Sequence, residues 1–168
     1  GLTIVSCGTA FHAALLGKKF VERLAGIPVQ VEIASEFRYG DPMLHSGDSL
    51  MVISQSGETA DTIAALRLAK SRNCRTIAVC NVIGSTIARD AETVLFTYAG
   101  PEIAVAATKS YLTQLAVLYL TALDLAEKRG TMSEQDVHKR IDELFALPGK
   151  MQQILDHREQ IQCFASKA

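Results

Sequence analysis

The sequence predicts an α/β protein: a three-layer αβα sandwich built on a five-stranded parallel sheet. Short, continuously apolar runs rich in β-branched residues alternate with segments in which apolar residues recur every third or fourth position. Strands without polar alternation are buried on both faces, which is typical of a parallel sheet covered by helices. The chain has 168 residues, 48% of them hydrophobic, which is enough for one good core.

The strands are predicted from the apolar runs. The run "SLMVIS" is the clearest, because almost every residue in it is apolar. The five predicted strands are 2–6, 29–33, 49–54, 76–80 and 93–98. This number favours a flavodoxin-like sheet over a full Rossmann fold, and the sequence does not determine the strand order.

The helices are predicted from the helical spacing of apolar residues between and after the strands. They are expected at 11–25, 60–71, 85–90 and 105–129. Gly26 and Pro28 stop the first helix, and Gly130 ends the last one.

Residues 132–168 differ in character, because they are polar with only sparse apolar positions. Ser133 is placed to cap a helix, and Pro148-Gly149 is expected to break that helix before a second one. We therefore expect a domain at 1–131 followed by a helical linker at 132–168. Because the first strand begins at residue 2, we also expect the chain to be a piece of a longer protein.

Composition excludes several classes of function. A net charge of −1 without a cluster of Lys or Arg argues against nucleic-acid binding. The run "LAVLYLTALDLA" contains Asp124 and is short for a membrane span. Without a signal peptide or C-x-x-C spacing, the cysteines favour a reducing cytoplasm over disulfides or a zinc site. The cysteines are Cys7, Cys74, Cys80 and Cys163. We expect no metal and no cofactor.

The segment "SQSGET" follows the third strand and precedes a helix. A helix N-terminus presents free N–H groups to an anion, and the hydroxyls of Ser54, Ser56 and Thr59 add donors. Gly57 allows close backbone approach. With no Lys or Arg and no P-loop pattern, a single phosphate on a small polyol suits this loop better than a triphosphate.

The same segment has a purely structural interpretation. Ser56 would then serve only as a helix N-cap, with Glu58 and Asp61 as favourable acids in the first turn. These acids disfavour an anion unless they point away from it. Local chemistry leaves both interpretations open.

The segment "SCGTA" follows the first strand. Cys7 at such a turn could be a reactive thiolate, but a phosphatase of this type would need an arginine at the position of Ala13. Ala10 also breaks the G-x-G-x-x-G dinucleotide pattern. We interpret Cys7 as a small residue that lines a pocket, and His12 as structural.

The segment "GPEIAVAATK" precedes the last helix of the sandwich. Lys109 lies near the predicted start of that helix, where it could neutralise a substrate charge or a carboxylate such as Glu102. The alternative is an ordinary solvated lysine. Together with the two segments above, this loop would lie at the carboxyl ends of the strands, where open α/β sheets bind ligands.

The three segments together resemble the sugar isomerase (SIS) domain family. The matching stretches are "SCGTAFHA", "LAGIPVQVEIASEFRYGDP", "SLMVISQSGETADTIAALRLAK" and "AVCNVIGSTIARDAETVLFTYAGPEIAVAATKSYLTQL". Within the family, "EIASEFRY" is similar to the first isomerase subdomain of the glutamine–fructose-6-phosphate aminotransferases. The resemblance is dense over residues 1 to about 130, and the tail is similar to the linker before a second isomerase subdomain.

This resemblance implies a function and a set of contacts. Such enzymes convert fructose 6-phosphate and glutamine into glucosamine 6-phosphate and glutamate, with ammonia delivered by a separate glutaminase domain, and they dimerise. The implied phosphate contacts are Ser54, Gln55, Ser56 and Thr59, with Gly57 in the same loop. The implied sugar contacts are Cys7, Gly8, Thr9, Val105 and Ala106. Ala10 and Ala107 depart from the family's usual serines, which removes two hydroxyls.

The resemblance implies no catalytic residue in this chain. The family's glutamate, histidine and lysines come from the second isomerase subdomain, the chain terminus and the partner subunit. We assign no catalytic role to Glu58, Glu102, His12 or Lys109, and we expect the chain to bind a sugar phosphate without converting it. The alternatives are a sugar-phosphate sensor fused to a DNA-binding domain and, more weakly, a thiol-dependent phosphatase.

Overall fold

The structure is a computed structural model that describes residues 1–104 and 106–166. The strands are β1 (Leu2–Ser6), β2 (Val29–Ile33), β3 (Ser49–Ser54), β4 (Arg75–Cys80) and β5 (Thr93–Phe96). The helices are α1 (Gly8–Ala25), α2 (Ala34–Tyr39), α3 (Ala60–Ser71), α4 (Thr86–Asp90), α5 (Lys109–Lys128), α6 (Glu134–Phe145), α7 (Leu147–Asp156) and α8 (Arg158–Ala165).

The sheet is parallel throughout, with the strand order β2-β1-β3-β4-β5. This is the order of the flavodoxin-like fold, so the predicted fold class is confirmed. The chain moves outward from β1 in both directions, which places the topological switch point between β1 and β3. Ser6 at the end of β1 pairs with Ile53, so the loops after β1 and β3 begin side by side.

The core has two layers, one on each face of the sheet. Met51 and Ile53 of β3 pack in the layer formed with α1 and α5. Leu50 and Val52, which alternate with them, pack in the layer formed with α2, α3 and α4. Because successive side chains of a strand point to opposite faces, a strand buried on both sides must be apolar at every position. The continuous apolar runs predicted this arrangement correctly.

Several element boundaries differ from the prediction. Helix α2 was not predicted: it is a single short helix that directly follows β2 and has no side-chain cap at Ile33. Helix α1 begins at Gly8 rather than residue 11, because its first turn is polar and lies outside the apolar periodicity. Strand β5 ends at Phe96, two residues early. Helix α5 begins at Lys109, and the described residues 106–108 before it are not helical.

The described residues fall into two compact units, one up to Met132 and one from Ser133 onward. In the second unit, the Ser133 hydroxyl caps α6 by accepting a hydrogen bond from Asp136 N at 3.1 Å, as expected. The predicted break at Pro148-Gly149 is wrong in position. Pro148 lies in the first turn of α7, where its missing N–H leaves no hydrogen bond unmade. The described part of residues 132–168 forms three helices rather than two. No helix in the described parts of the chain combines the length and apolarity required to span a membrane.

Candidate functional site

An open pocket of about 290 Å³ lies at the carboxyl ends of β1 and β3, at the switch point of the sheet. It is lined by Cys7, Thr9, Ala10, Ile53, Ser54, Gln55, Ser56, Thr59, Glu102, Ala104, Ala107, Ser110 and Gln114. The three segments selected from the sequence therefore meet at one pocket, as their positions after the strands predicted.

The predicted site residues divide into three groups. Those that line the pocket are Cys7, Thr9, Ser54, Gln55, Ser56 and Thr59. Those of the described residues that do not line it are Gly8, Gly57 and Ala106. Val105 lies outside the described residues. Lining a pocket is a matter of position, so the binding roles of these residues stay predictions.

The loop between β3 and α3 is held by its own hydroxyls. Ser54 Oγ accepts a hydrogen bond from Gly57 N at 3.0 Å and lies 3.1 Å from Thr59 Oγ1. Ser56 Oγ accepts a hydrogen bond from Glu58 N at 3.2 Å. A serine hydroxyl can donate one hydrogen bond and accept two, so Ser56 keeps its O–H for a further acceptor. The loop is thus folded by its own bonds and still presents hydroxyl donors to the pocket.

Gly57 contributes to this loop by close packing. Its φ of +68° lies in the left-handed region, and a Cβ at this position would lie 2.5 Å from Ser85 Cβ. Gly57 O also accepts a hydrogen bond from Ile87 N at 3.0 Å, which joins the loop to α4. Only a residue without a side chain fits between the loop and α4.

Both acids of this region point away from the pocket. Glu58 Oε1 accepts a hydrogen bond from Thr86 N at 2.7 Å, and this bond lowers the pKa of the Glu58 carboxyl below its ordinary 4.5. Asp61 forms an ion pair with Arg38 at 3.2 Å. Neither acid is among the described residues that line the pocket. The objection that these acids would repel an anion is therefore removed.

The N-terminus of α3 is open to the pocket. Its N-cap is Thr59, which lines the pocket and makes no side-chain capping bond with a described residue. Ser56 is therefore not the N-cap, so the predicted capping role is wrong, and the structural bond that its hydroxyl makes is the one from Glu58 N. The first-turn N–H groups of a helix carry a partial positive charge that favours an anion.

The opposite wall of the pocket contains a fixed carboxylate. Glu102 accepts hydrogen bonds from Ser110 N at 3.0 Å and from Thr108 Oγ1 at 3.1 Å. The Ser110 hydroxyl, followed by the Ser110 backbone N–H, contributes most to lowering the pKa of Glu102 to about 2. The N-terminus of α5 is thus occupied by the protein's own carboxylate. One side of the pocket is suited to an anion, and the other carries a negative charge.

Two further polar residues suggested by the sequence lie apart from the pocket lining. Lys109 is exposed, and none of the ion pairs among the described residues joins it to Glu102, so the suggested pairing is not formed. His12 is exposed on α1. Neither side chain lies among the described residues that line the pocket.

Asn81, which the sequence analysis missed, positions the segment that leads to Glu102. Its Oδ1 accepts hydrogen bonds from Ala99 N at 2.7 Å and Thr97 Oγ1 at 3.1 Å. Its Nδ2 donates to Gly100 O at 2.8 Å. One side chain thus fixes the turn Thr97–Gly100, and its signal in the sequence is a polar residue directly after β4.

Ser110 and Gln114 were also missed. They are buried polar residues on α5 that line the pocket, four residues apart on one helix face. Their spacing at the start of an otherwise apolar helix is the signal that could have revealed them.

The fold and the pocket define a doubly wound α/β domain with a pocket at its switch point. The sequence profile of the SIS domain family matches residues 2–124, and the chain belongs to this family.

Two curated relatives with named activities are similar to this chain over almost its whole length. The chain is 57% identical over 98% of its length to glutamine–fructose-6-phosphate aminotransferase (isomerizing) of Caldanaerobacter subterraneus subsp. tengcongensis, covering 27% of that protein. It is 52% identical over 94% of its length to the enzyme of the same name from Methanosarcina mazei, covering 26% of it. The chain thus spans about a quarter of the length of these curated relatives.

A solved structure shows the same architecture. The C-terminal domain of glucosamine-fructose-6-phosphate aminotransferase from Francisella tularensis superposes with a TM-score of 0.82 at 40% identity. The match covers 85% of this chain and 41% of that one. The resemblance to the SIS region of these aminotransferases is therefore confirmed in both sequence and structure.

Proposed function

We propose that this chain binds a sugar phosphate, with the phosphate held by Ser54, Gln55, Ser56 and Thr59 at the N-terminus of α3. The observation that carries the proposal is the uncapped α3 N-terminus beside these hydroxyls, from which both nearby acids are turned away. Hydrogen-bond donors at a helix N-terminus stabilise a phosphate dianion without any lysine or arginine. Cys7 and Thr9 would contact the sugar from the first turn of α1.

The relatives' names suggest the reaction of the whole protein. We propose that the chain is the fructose-6-phosphate-binding half of an isomerase domain that forms glucosamine 6-phosphate, with glutamine as the nitrogen donor. In this proposal a glutaminase domain and a second SIS domain belong to the same protein. Residues 132–168 would be the linker to the second SIS domain, and the protein would be a homodimer.

The chain on its own would bind the substrate without converting it. Isomerisation of a ketose requires a base within hydrogen-bond reach of the proton to be moved. Glu102 accepts two hydrogen bonds at the start of α5, and Glu58 is bonded to α4. His12 lies outside the pocket lining. These positions support the proposal that the catalytic groups come from other parts of the protein.

Calorimetric titration with fructose 6-phosphate tests the phosphate site. Ser56→Ala should weaken binding about tenfold or more, because a hydrogen bond to a charged group is worth about 1.5–3 kcal/mol. The matched control is Ser71→Ala at the far end of α3, where the hydroxyl donates only to Leu68 O. Undiminished binding in Ser56→Ala would overturn the phosphate assignment. Conversion of fructose 6-phosphate by the 168-residue chain would overturn the assignment of catalysis to other segments.

A further inference from the structure

We propose that Ser110 and Gln114 bind the hydroxyl-bearing part of the sugar phosphate and select a polyol phosphate over a phosphate without hydroxyls. This inference rests on the proposed sugar-phosphate function and names the side chains that would form hydrogen bonds with the sugar hydroxyls.

Ser110 has a buried hydroxyl without a well-formed hydrogen bond. The residue is 1% exposed and lines the pocket, and Ser110 Oγ makes no bond of good geometry within the described ranges, although the hydroxyl lies near enough to Glu102 to help lower the pKa of that carboxyl. A serine inside a helix usually bonds to the carbonyl one turn earlier. Ser110 is the second residue of α5, so no helical turn precedes it. A buried hydroxyl left unpaired is unfavourable, so a ligand group in the pocket is a natural partner.

Gln114 lies one turn further along the same face. It is 3% exposed and lines the pocket. The α5 side chains that donate hydrogen bonds within the described part of the chain are those of Thr113, Thr121 and Lys128. None of the hydrogen bonds between described residues involves the Gln114 amide, whose two donors and one acceptor suit the hydroxyls of a sugar.

The rest of this face of α5, beyond Ser110 and Gln114, is apolar. Continuing from Ser110 and Gln114 in steps of four, the next residues are Leu118 and Ala122, both buried in the core. The face changes from polar to apolar where the helix leaves the pocket. The two buried polar residues therefore lie where the helix borders the pocket.

The charges on the two sides of the pocket determine the orientation in which the ligand would bind. Glu102 is a carboxylate held beside α5 by Ser110 N and Thr108 Oγ1, so this wall disfavours a phosphate. The α3 N-terminus on the other side favours one. The phosphate therefore lies at α3, and the neutral hydroxyls of the sugar face Ser110 and Gln114.

Nuclear magnetic resonance titration of the 168-residue chain tests the inference, because backbone amide shifts can report weak binding. The probes are fructose 6-phosphate and inorganic phosphate. Ser110→Ala and Gln114→Met should each weaken fructose 6-phosphate binding about three- to tenfold and leave the affinity for inorganic phosphate unchanged. The matched control is Thr121→Ala, which deletes a hydroxyl from α5 outside the pocket lining and should change neither affinity.

The melting temperature separates ligand binding from a structural role. Ser110→Ala removes a buried hydroxyl without a well-formed hydrogen bond and introduces a better helix former, so the melting temperature should stay constant or rise. A lower melting temperature with equal loss of both ligands would show a structural role and overturn the inference. Wild-type affinity for fructose 6-phosphate in both variants would overturn it while the proposed function stands. If the wild-type chain bound neither probe, the proposed function itself would fail.

Discussion

The carboxylate of Glu58 accepts a hydrogen bond from the backbone N–H of Thr86 at 2.7 Å. This bond joins the loop after β3 to the start of α4 and turns the charge of Glu58 away from the pocket. The loop can therefore contain an acid next to Ser56 and Gly57 without that acid lining the pocket.

Replacing Glu58 with glutamine tests this orientation. Because the charge lies outside the pocket, Glu58→Gln should change fructose 6-phosphate affinity less than twofold at neutral pH, measured by calorimetry. The pKa of Glu58 is lowered in the fold, so its bond to Thr86 stabilises the protein above the ordinary pKa of 4.5. That stabilisation is lost as the pH falls through the folded pKa, so the melting temperatures of variant and wild type should converge in acid. A gain in affinity above fivefold would contradict the orientation.

Gly57→Ala should destabilise the fold by at least about 2 kcal/mol, through backbone strain at positive φ and overlap with Ser85. Gly130→Ala is the matched control, since its φ of +70° is nearly the same and a Cβ there meets nothing within 4 Å. The control should lose only about 1–2 kcal/mol from strain. Urea unfolding of both variants measures the difference, and equal losses would show that the contact with Ser85 is unimportant.

Asn81→Ala should destabilise the turn at Thr97–Gly100 and cost about 1–3 kcal/mol, because three hydrogen bonds lose their partner. Fructose 6-phosphate affinity should also fall, since this turn leads to Glu102. Asn81→Asp is the control: it keeps the acceptor for Ala99 N and loses only the donor to Gly100 O, so its effect should be smaller. Chemical unfolding and calorimetry measure both effects. An alanine variant as stable as wild type would exclude a positioning role for Asn81.

We expect the Glu102 carboxylate to make a second contribution to the stability of the fold that is lost in acid. Its folded pKa of about 2 lies below the ordinary 4.5, so its bonds to Ser110 and Thr108 stabilise the fold above about pH 4.5. This contribution is lost as the pH falls from about 4.5 towards 2. Glu102→Gln should therefore melt at a lower temperature than wild type at pH 7, and the difference should shrink across this range. A difference independent of pH would show that the carboxylate charge is not what holds the start of α5.

Much of the fold could be predicted from the sequence because strand burial leaves a direct pattern in it. The run at residues 50–53 is apolar at every position, as is typical of a strand covered on both faces. The residues at which the helices begin were harder to predict from the sequence. Helix α5 begins at Lys109 because Glu102, seven residues earlier, caps it at Ser110 N, and that contact has no local signal.

The candidate site was predictable where its residues lie in loops directly after strands. Ser54, Ser56, Thr59 and Cys7 were found in this way, and the structure brings them to one pocket. Ser110 and Gln114 were missed because they lie within a helix, where the sequence does not show which face borders a pocket. Their significance depends on burial beside the pocket, which is a property of the packed structure.

The sequence by itself determined the α/β class, the position of the strands and the loops that would carry the site, because these follow from local apolar pattern and chain order. Only the tertiary structure decided the strand order, the directions of Glu58 and Glu102, and the polar face of α5. Each of these depends on contacts between residues distant in the chain, such as Glu58 with Thr86. These tertiary contacts leave the uncapped start of α3 facing the pocket and turn the nearby acids away from it.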